Sequence, residues 1–369
     1  MTRRWLGEDA RARFADARID AIRRLGSIAR DAACEFVVVC GDVFESNHVE
    51  RRTVVRALEA LHGIPVPVVL LPGNHDPLDA ASVFRKEPFR SEAPSHVHVL
   101  ADMEPLRLSS GVEVVGAPWT SKRPGRDLVA ELCAGLRPTQ GGVVRVALAH
   151  GAVDSLSPNR DDPARIDLAA AERALADGRI HYLALGDRHS RTRVGDSGRI
   201  HYAGAPEPTD FDEIDPGHAL VVELDAERAI VTPHDTATWR FVRRARIPID
   251  GPRDLAALEQ WLDTQPDKAR TVLRLGFEGT VDLAGAARLE LALLRAQDLF
   301  AAVTRAEGQL AVLPEHADFD ALGLSGFAAD AVETLRDEAA GHGVDAVIAR
   351  DALALLVRLA SPSADGGAA

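Results

Sequence analysis

Four short apolar runs most constrain this chain, because each one ends in polar groups that a hydrophobic core would not tolerate. Residues 36–40 lead into Gly41-Asp42-Val43-Phe44-Glu45, and 66–71 into Gly73-Asn74-His75-Asp76. Residues 144–149 lead into His150-Gly151, and 182–185 into Gly186-Asp187-Arg188-His189. Runs of this length read as buried strands. Amphipathic helices alternate with them. One is predicted over 8–33, with Phe14, Ala17, Ala21, Leu25 and Ile28 in a stripe, and another over 50–62, with Val54, Leu58 and Leu61 inward. Helices alternating with buried strands predict an α/β fold of helices layered on sheet. Open α/β sheets hold ligands at the carboxyl ends of their strands. The pattern therefore brings Asp42, Asn74, His75, His150, Asp187 and His189 to one sheet edge.

These side chains form a coherent donor set. Carboxylate, amide and imidazole groups suit Mn, Fe or Mg, and a pair of such ions hydrolyses phosphate esters. Asp42 can bridge two cations. Asn74 offers a carbonyl oxygen without adding negative charge, and His150 and His189 offer imidazole nitrogens. His75, beside Asn74, is placed as an acid rather than a ligand. Gly41 and Gly73 permit tight turns after their strands. Singly, each piece has an ordinary reading: Gly-Asp after a strand is a turn, and a lone histidine is a satisfied core or surface residue. Their joint order, each after its own strand, points to a metal site.

The remaining pattern extends this organisation. Short strands and turns fill 97–116, and a helix near 126–135 leads into the strand that holds His150. Residues 155–163 form a loop, 168–176 a helix, and 200–203, 219–224 and 229–231 short strands. A boundary is predicted near 232–238. Beyond it come a strand (239–249), a helix (254–264), a strand (271–277), a long helix (282–305) and a strand (309–313). Helical patterns follow over 328–340 and 344–360, then a tail over 361–369. Three domains result: 1–235, 236–325 and 326–369. Trp239 and Trp261 are expected in the core of the small domain and Trp119 at a domain edge.

With 369 residues, 46% hydrophobic and 27% charged, the chain reads as a soluble globular protein. No membrane span is found, and Cys34, Cys40 and Cys133 are too scattered for a disulfide framework, so a cytoplasmic location is expected. The net charge of -13 argues against nucleic-acid binding over the whole surface. It leaves room for a local basic groove from Arg188, Arg191, Arg193 and Arg199, or from Arg240, Arg243, Arg244 and Arg246. Each arginine alone also reads as a solvated surface residue.

Together with Gly116-Ala117-Pro118-Trp119, Ala149-His150-Gly151 and Tyr202-Ala203-Gly204-Ala205-Pro206-Glu207 continuing to Phe211-Asp212-Glu213, the strings above carry a family resemblance. The chain resembles the calcineurin-like metallophosphoesterases and, among them, the SbcD type of nuclease subunit from double-strand-break repair complexes. The resemblance covers roughly residues 1–230. It implies a layered calcineurin-like metallophosphoesterase sandwich with a smaller α/β capping, DNA-binding domain. It further implies two divalent ions, Mn first with Fe and Mg as alternatives. Asp42 would bridge them, Asn74 and His150 would hold one, and Asp187 and His189 the other. His75 would protonate the leaving oxygen, and Arg188, Arg191 and Tyr202 would touch substrate. DNA, an SbcC-like ATPase and a homodimer are the implied partners.

Two departures from the family are visible. Asp187 stands where the family has a histidine ligand, and its oxygen still suits a hard metal; its other reading is a residue that only orients His189 from behind the metal. The family also opens with a strand ending in Asp-x-His, whereas this chain begins in a polar segment before its first helix. The expectation is an N-terminally shortened form, through a start site assigned too late or a genuine loss. Such a form would be unstable or poorly active. The competing functions are a small-molecule, cyclic-nucleotide phosphodiesterase and a catalytically impaired scaffold subunit.

Overall fold

Valine- and leucine-rich strands with helical stripes on either side build a layered structure in the first of two units, as the computed structural model shows. It describes residues 6–157, 159–306, 308–312, 325–339, 341, 343–346, 348, 349, 352 and 353. One unit spans Arg11–Arg240, and the other takes residues 6–10 with those from Phe241 on.

The chain enters the first unit through α1 (Glu8–Asp31), β1 (Val37–Cys40), α2 (Arg51–His62), β2 (Val68–Leu71), α3 (Phe89–Glu92) and β3 (Val97–Val99). Next come β4 (Leu106–Arg107), β5 (Val112–Gly116), α4 (Leu128–Gly135), β6 (Val144–His150), α5 (Leu168–Ala176) and β7 (Tyr182–Gly186). The unit closes with β8 (Thr192–Val194), β9 (Ile200–Tyr202), β10 (His218–Leu224) and β11 (Ala229–Asp235). One sheet runs β1-β2-β3, all parallel. The other runs β4-β5-β6-β7-β9-β8, with β5, β6, β7 and β9 parallel and β4 and β8 antiparallel at its edges. Strands β10 and β11 pair separately.

Alternation along the strands defines four layers. Val68 and Leu70 of β2 join Val54, Leu58 and Leu61 of α2, whereas Val69 and Leu71 turn to Val114, Val146 and Leu148 of the second sheet. On that sheet Ala147 and Ala149 face the other way, toward Val129 and Leu132 of α4 and Ala171 and Leu175 of α5. The order is thus helix, sheet, sheet, helix. All four β2 residues are fully buried, and each such aliphatic side chain stabilises the fold by about 1.5–3 kcal/mol. By contrast β1 is half-exposed along its length and, among the described residues, pairs only with β2.

The second unit holds β12 (Arg240–Pro248), α6 (Pro252–Thr264), β13 (Thr271–Val281), α7 (Leu283–Leu299), β14 (Ala302–Arg305) and β15 (Gln309–Val312). Strand β13 is its spine, with β12 beside it and β14 and β15 both parallel to it. Leu255, Leu258 and Leu262 of α6 and Leu289 and Leu293 of α7 cover Leu273 and Leu275 of β13. Asp282 caps α7 by accepting from the Gly285 N–H at 2.6 Å. The predicted helix 282–305 stops at Leu299, because Val303 and Thr304 are β-branched and pair with Leu273 and Arg274 instead. Another helix covers Phe327–Ala339. In the predicted helix 344–360, residues 344–346, 348, 349, 352 and 353 are helical. Its other positions, Leu313, Ala340 and the tail 361–369 lie outside the described residues. Among those described, no helix is long and apolar enough to cross a membrane.

Trp239 does not belong to the small unit. It is 1% exposed within the first, its ring edge-on to Phe14 at 5.0 Å. Glu207 pins that end of the chain by accepting from the backbone N–H groups of Thr238 and Trp239 and from Arg24.

Candidate metal centre

Because β1, β6 and β7 run side by side in their two sheets, their tips converge. Asp42 and Asp187 each follow a tip glycine and hold positive φ, 53° and 90°. For a non-glycine residue this is strained backbone, which collects where a side chain must be aimed. A Cβ on Gly186 would lie 1.6 Å from the Cys40 carbonyl oxygen, and one on Gly73 would lie 2.4 Å from Asp42 Oδ1. Only glycine lets the turns approach this closely.

His150 is at the centre and is 3% exposed. Its Nδ1–H donates to the Cys40 carbonyl at 2.8 Å, which leaves the Nε2 lone pair facing the cluster. Nε2 lies 2.8 Å from Asn74 Oδ1, 3.5 Å from Asp42 Oδ2 and 3.8 Å from Asp187 Oδ1. The Asn74 amide also lies 3.0 Å from both Asp42 oxygens. As placed, acceptors confront acceptors. Two things relieve this: the amide turned over, so that its hydrogens reach Asp42 and His150, or a cation among the lone pairs.

The titration behaviour tells the same story. Burial raises the Asp42 carboxyl, but the hydrogen bond and charge of His150 outweigh it and leave Asp42 below the usual carboxylate range. Burial lowers His150, yet the Asp42 hydrogen bond and charge leave it above the ordinary histidine value. Asp187 is raised by burial. A pocket with these properties takes up positive charge, as protons or as a metal.

Among the described residues no group of three or more His, Cys, Asp or Glu side chains stands in ligating geometry. Instead the cluster is bonded to itself. By donor chemistry Asp42, Asn74, His150 and Asp187 fit a hard divalent ion. A pocket of about 390 Å³ lies elsewhere, in the loop after β6, lined by Asp154, Ser155, Ser157, Arg160 and Arg165. It contains none of these donors.

The other predicted site residues fall at different distances. His75 sits at the rim with Nε2 4.0 Å from Asp42 Oδ2, and its Nδ1 meets the Glu45 carbonyl at 3.0 Å. Its backbone N–H donates to Asp42 Oδ1 at 2.9 Å. His189 bonds Glu213 and Thr209 rather than the four central groups, although the charges of Asp187 and Asp42 reach it. Arg188 donates to Thr192 and Arg191 to Asp215, at 2.8 and 2.6 Å. Tyr202, expected at the substrate, is 1% exposed, and its hydroxyl donates to the Gly151 carbonyl and accepts from the Val153 N–H. It shapes the turn behind His150.

Three supporting residues were not predicted as site residues. Asp76 accepts from Gly73 and Phe44 N–H groups and ties two site turns together. Trp119 donates from Nε1 to the His150 carbonyl at 2.8 Å and sets its ring edge-on to the imidazole, so it belongs to the site wall. Glu213 holds His189. For Trp119 and Glu213 the signal was present in the strings Ala-Pro-Trp and Phe-Asp-Glu, without a role attached.

Comparison with a family model agrees with this architecture. Residues 15–222 match the family described as calcineurin-like phosphoesterase. The D chain of the SbcCD nuclease of Rhodobacter capsulatus is 27% identical over 291 residues, covering 67% of this chain and 70% of that protein. A solved structure of TT1561 of Thermus thermophilus aligns with 10% identity and a TM-score of 0.36, over 58% of this chain and 93% of that one.

Proposed function

The chain belongs to the calcineurin-like phosphoesterase family, and from that premise we propose that it is a Mn-dependent DNA nuclease of the repair type, working with an SbcC-like ATPase as a cytoplasmic homodimer. One observation carries the hydrolytic part: the convergence of Asp42, Asn74 and Asp187 on the Nε2 of His150. The likeness to a nuclease chain supports DNA as the substrate and an ATPase as the partner.

Asp42, Asn74, His150, Asp187 and His189 would hold two divalent ions, with Asp42 shared. Bound there, such ions supply Lewis acidity toward the phosphoryl oxygens and a nucleophile at neutral pH. The protein's own groups do the rest. The Cys40 carbonyl keeps the His150 proton on Nδ1, so that Nε2 stays a donor of electrons. His75 donates Nδ1–H to the Glu45 carbonyl, and its Nε2, half-exposed at the rim, can deliver a proton to a leaving oxygen. Trp119 and Tyr202 fix the backbone at His150 and at Gly151 just after it, and so limit its drift.

The test is cleavage of linear duplex DNA by the purified full chain with Mn, with and without an SbcC-like ATPase, beside hydrolysis of a cyclic nucleotide. Cutting of DNA that is lost in Asp42→Asn, by a factor of about 10³ or more, is the expected result. Turnover of the cyclic nucleotide alone would make the protein a small-molecule phosphodiesterase. No turnover and no bound Mn would make it a scaffold.

A further inference from the structure

We propose that Glu213, supported by Thr209, is the positioning residue for His189: it holds the proton on Nδ1 and leaves the Nε2 lone pair pointing outward. What that lone pair binds rests on the metal-dependent function proposed above. The orientation itself rests on geometry alone.

His189 and Glu213 differ in exposure. The imidazole is half-exposed, with 51% of its side chain accessible, whereas the Glu213 side chain is 7% exposed. A buried carboxylate next to an exposed ring acts as the anchor of the pair. Glu213 Oε1 lies 2.9 Å from His189 Nδ1 and also accepts from the Thr209 hydroxyl. Its Oε2 accepts from the Thr209 backbone N–H at 2.8 Å. A carboxylate surrounded by donors can only accept, so the proton between it and the ring must sit on Nδ1.

The segment that carries Glu213 is itself strapped to the turn that carries His189. The Ala205 N–H donates to the His189 carbonyl, and the Arg191 N–H to the Asp215 carbonyl, both at 2.9 Å. The Ile214 N–H donates to Ser190 Oγ at 3.0 Å, and Arg191 Nε closes the strap on Asp215. At Gly204, with φ of +86°, a Cβ would come within 2.7 Å of the His189 carbonyl oxygen. The strap therefore tracks residues 189–191 closely over its length, and it directs the Glu213 carboxylate and the Thr209 hydroxyl at the imidazole Nδ1. A mere loop staple accounts for the bonds from Thr209 to the two Glu213 oxygens. The contact of Oε1 with the ring nitrogen is what a staple leaves unexplained.

Two readouts on the full chain test this. Nitrogen-15 spectra of histidine-labelled protein report which ring nitrogen of His189 carries the proton, with His189→Gln supplying the assignment. The wild type should carry it on Nδ1. Glu213→Ala should move to the mixture of tautomers that a free imidazole shows, and Glu213→Gln, which keeps an acceptor oxygen, should stay on Nδ1. The second readout is Mn affinity by electron paramagnetic resonance. It should fall about 10–100-fold at one ion in Glu213→Ala and by a smaller factor in Glu213→Gln. An unchanged tautomer or wild-type Mn affinity in Glu213→Ala would overturn the assignment. Were the wild type to take up no Mn, the metal reading would fall, and the tautomer in Glu213→Ala would still decide the role of Glu213.

Discussion

A single residue away from the candidate metal centre, His201, shows how strongly burial sets chemistry in this fold. It lies on β9 at 9% exposure, stacked on Tyr182 with ring centroids 5.7 Å apart, and its buried Nδ1 has no partner among the described residues. Burial, and then the charge of Arg193, press its pKa from 6.5 down to about 4. The sign follows from which state binds the proton first. As pH falls, the unfolded chain protonates His201 near its ordinary value while the folded chain does not. Stability is therefore whole above that ordinary value and is lost progressively down to the folded one. One unit is worth about 1.4 kcal/mol. Between pH 7 and pH 5 the loss from this residue should be about 2 kcal/mol. His201→Phe keeps a ring against Tyr182 and removes the titration. Urea unfolding at the two pH values should show a shallower dependence in that variant, and an unchanged dependence would assign the loss to other groups.

At the scale of elements, the site depends on how two turns are tied. Asp76 is fully buried and accepts from Phe44, in the turn after β1, and from Gly73, in the turn after β2. Asp76→Ala leaves both N–H groups unpaired and should lower stability by about 2–4 kcal/mol, read from the urea midpoint. Mn affinity should fall with it, since Asn74 and Asp42 sit on the turns set free. Asp76→Asn, which keeps one acceptor oxygen, should lose less. Elements of this kind were legible in the chain to different degrees. Strands β2 and β7 could be read because a strand buried on both faces needs an unbroken apolar run, and β6 because its run is interrupted only at Arg145. The donors at the strand tips followed from the same runs. The supports did not, because their bonds span great distances in sequence. His150 meets the Cys40 carbonyl 110 residues away, and no local pattern marks a carbonyl. The bonds of Tyr202 were hidden for a similar reason: a hydroxyl looks the same in sequence whether it faces a ligand or a buried carbonyl. At β14 the leucine- and alanine-rich helix pattern ran on unbroken, and only pairing with β13 revealed the change.

The whole molecule sets a harder condition on DNA binding. A net charge of -13 repels a polyanion, so any duplex must be met by a locally positive surface. The arginines beside the metal centre are a poor source of it. Arg191 is held by Asp215, Arg188 by Thr192, and Arg199 reaches the Leu175 carbonyl. Strand β12 is a better one. Arg243, Arg244 and Arg246 are exposed there, Arg244 lies over the Trp261 ring at 4.8 Å, and Arg246 is 83% accessible with Glu278 at 4.0 Å. A guanidinium over an indole also sets charge beside an aromatic ring, a combination suited to nucleic acid. If β12 carries the DNA, then reversing Arg243 and Arg246 to Glu should weaken duplex binding by about tenfold or more at low salt. The slope of log affinity against log salt should flatten by about one for each phosphate no longer neutralised. Hydrolysis of bis(p-nitrophenyl) phosphate, which needs the metal centre and no groove, should persist. Equal loss on both substrates would instead mean that the substitutions had disturbed folding. An unaltered salt slope would move the DNA surface away from β12 and leave this strand as solvated charge on the small unit.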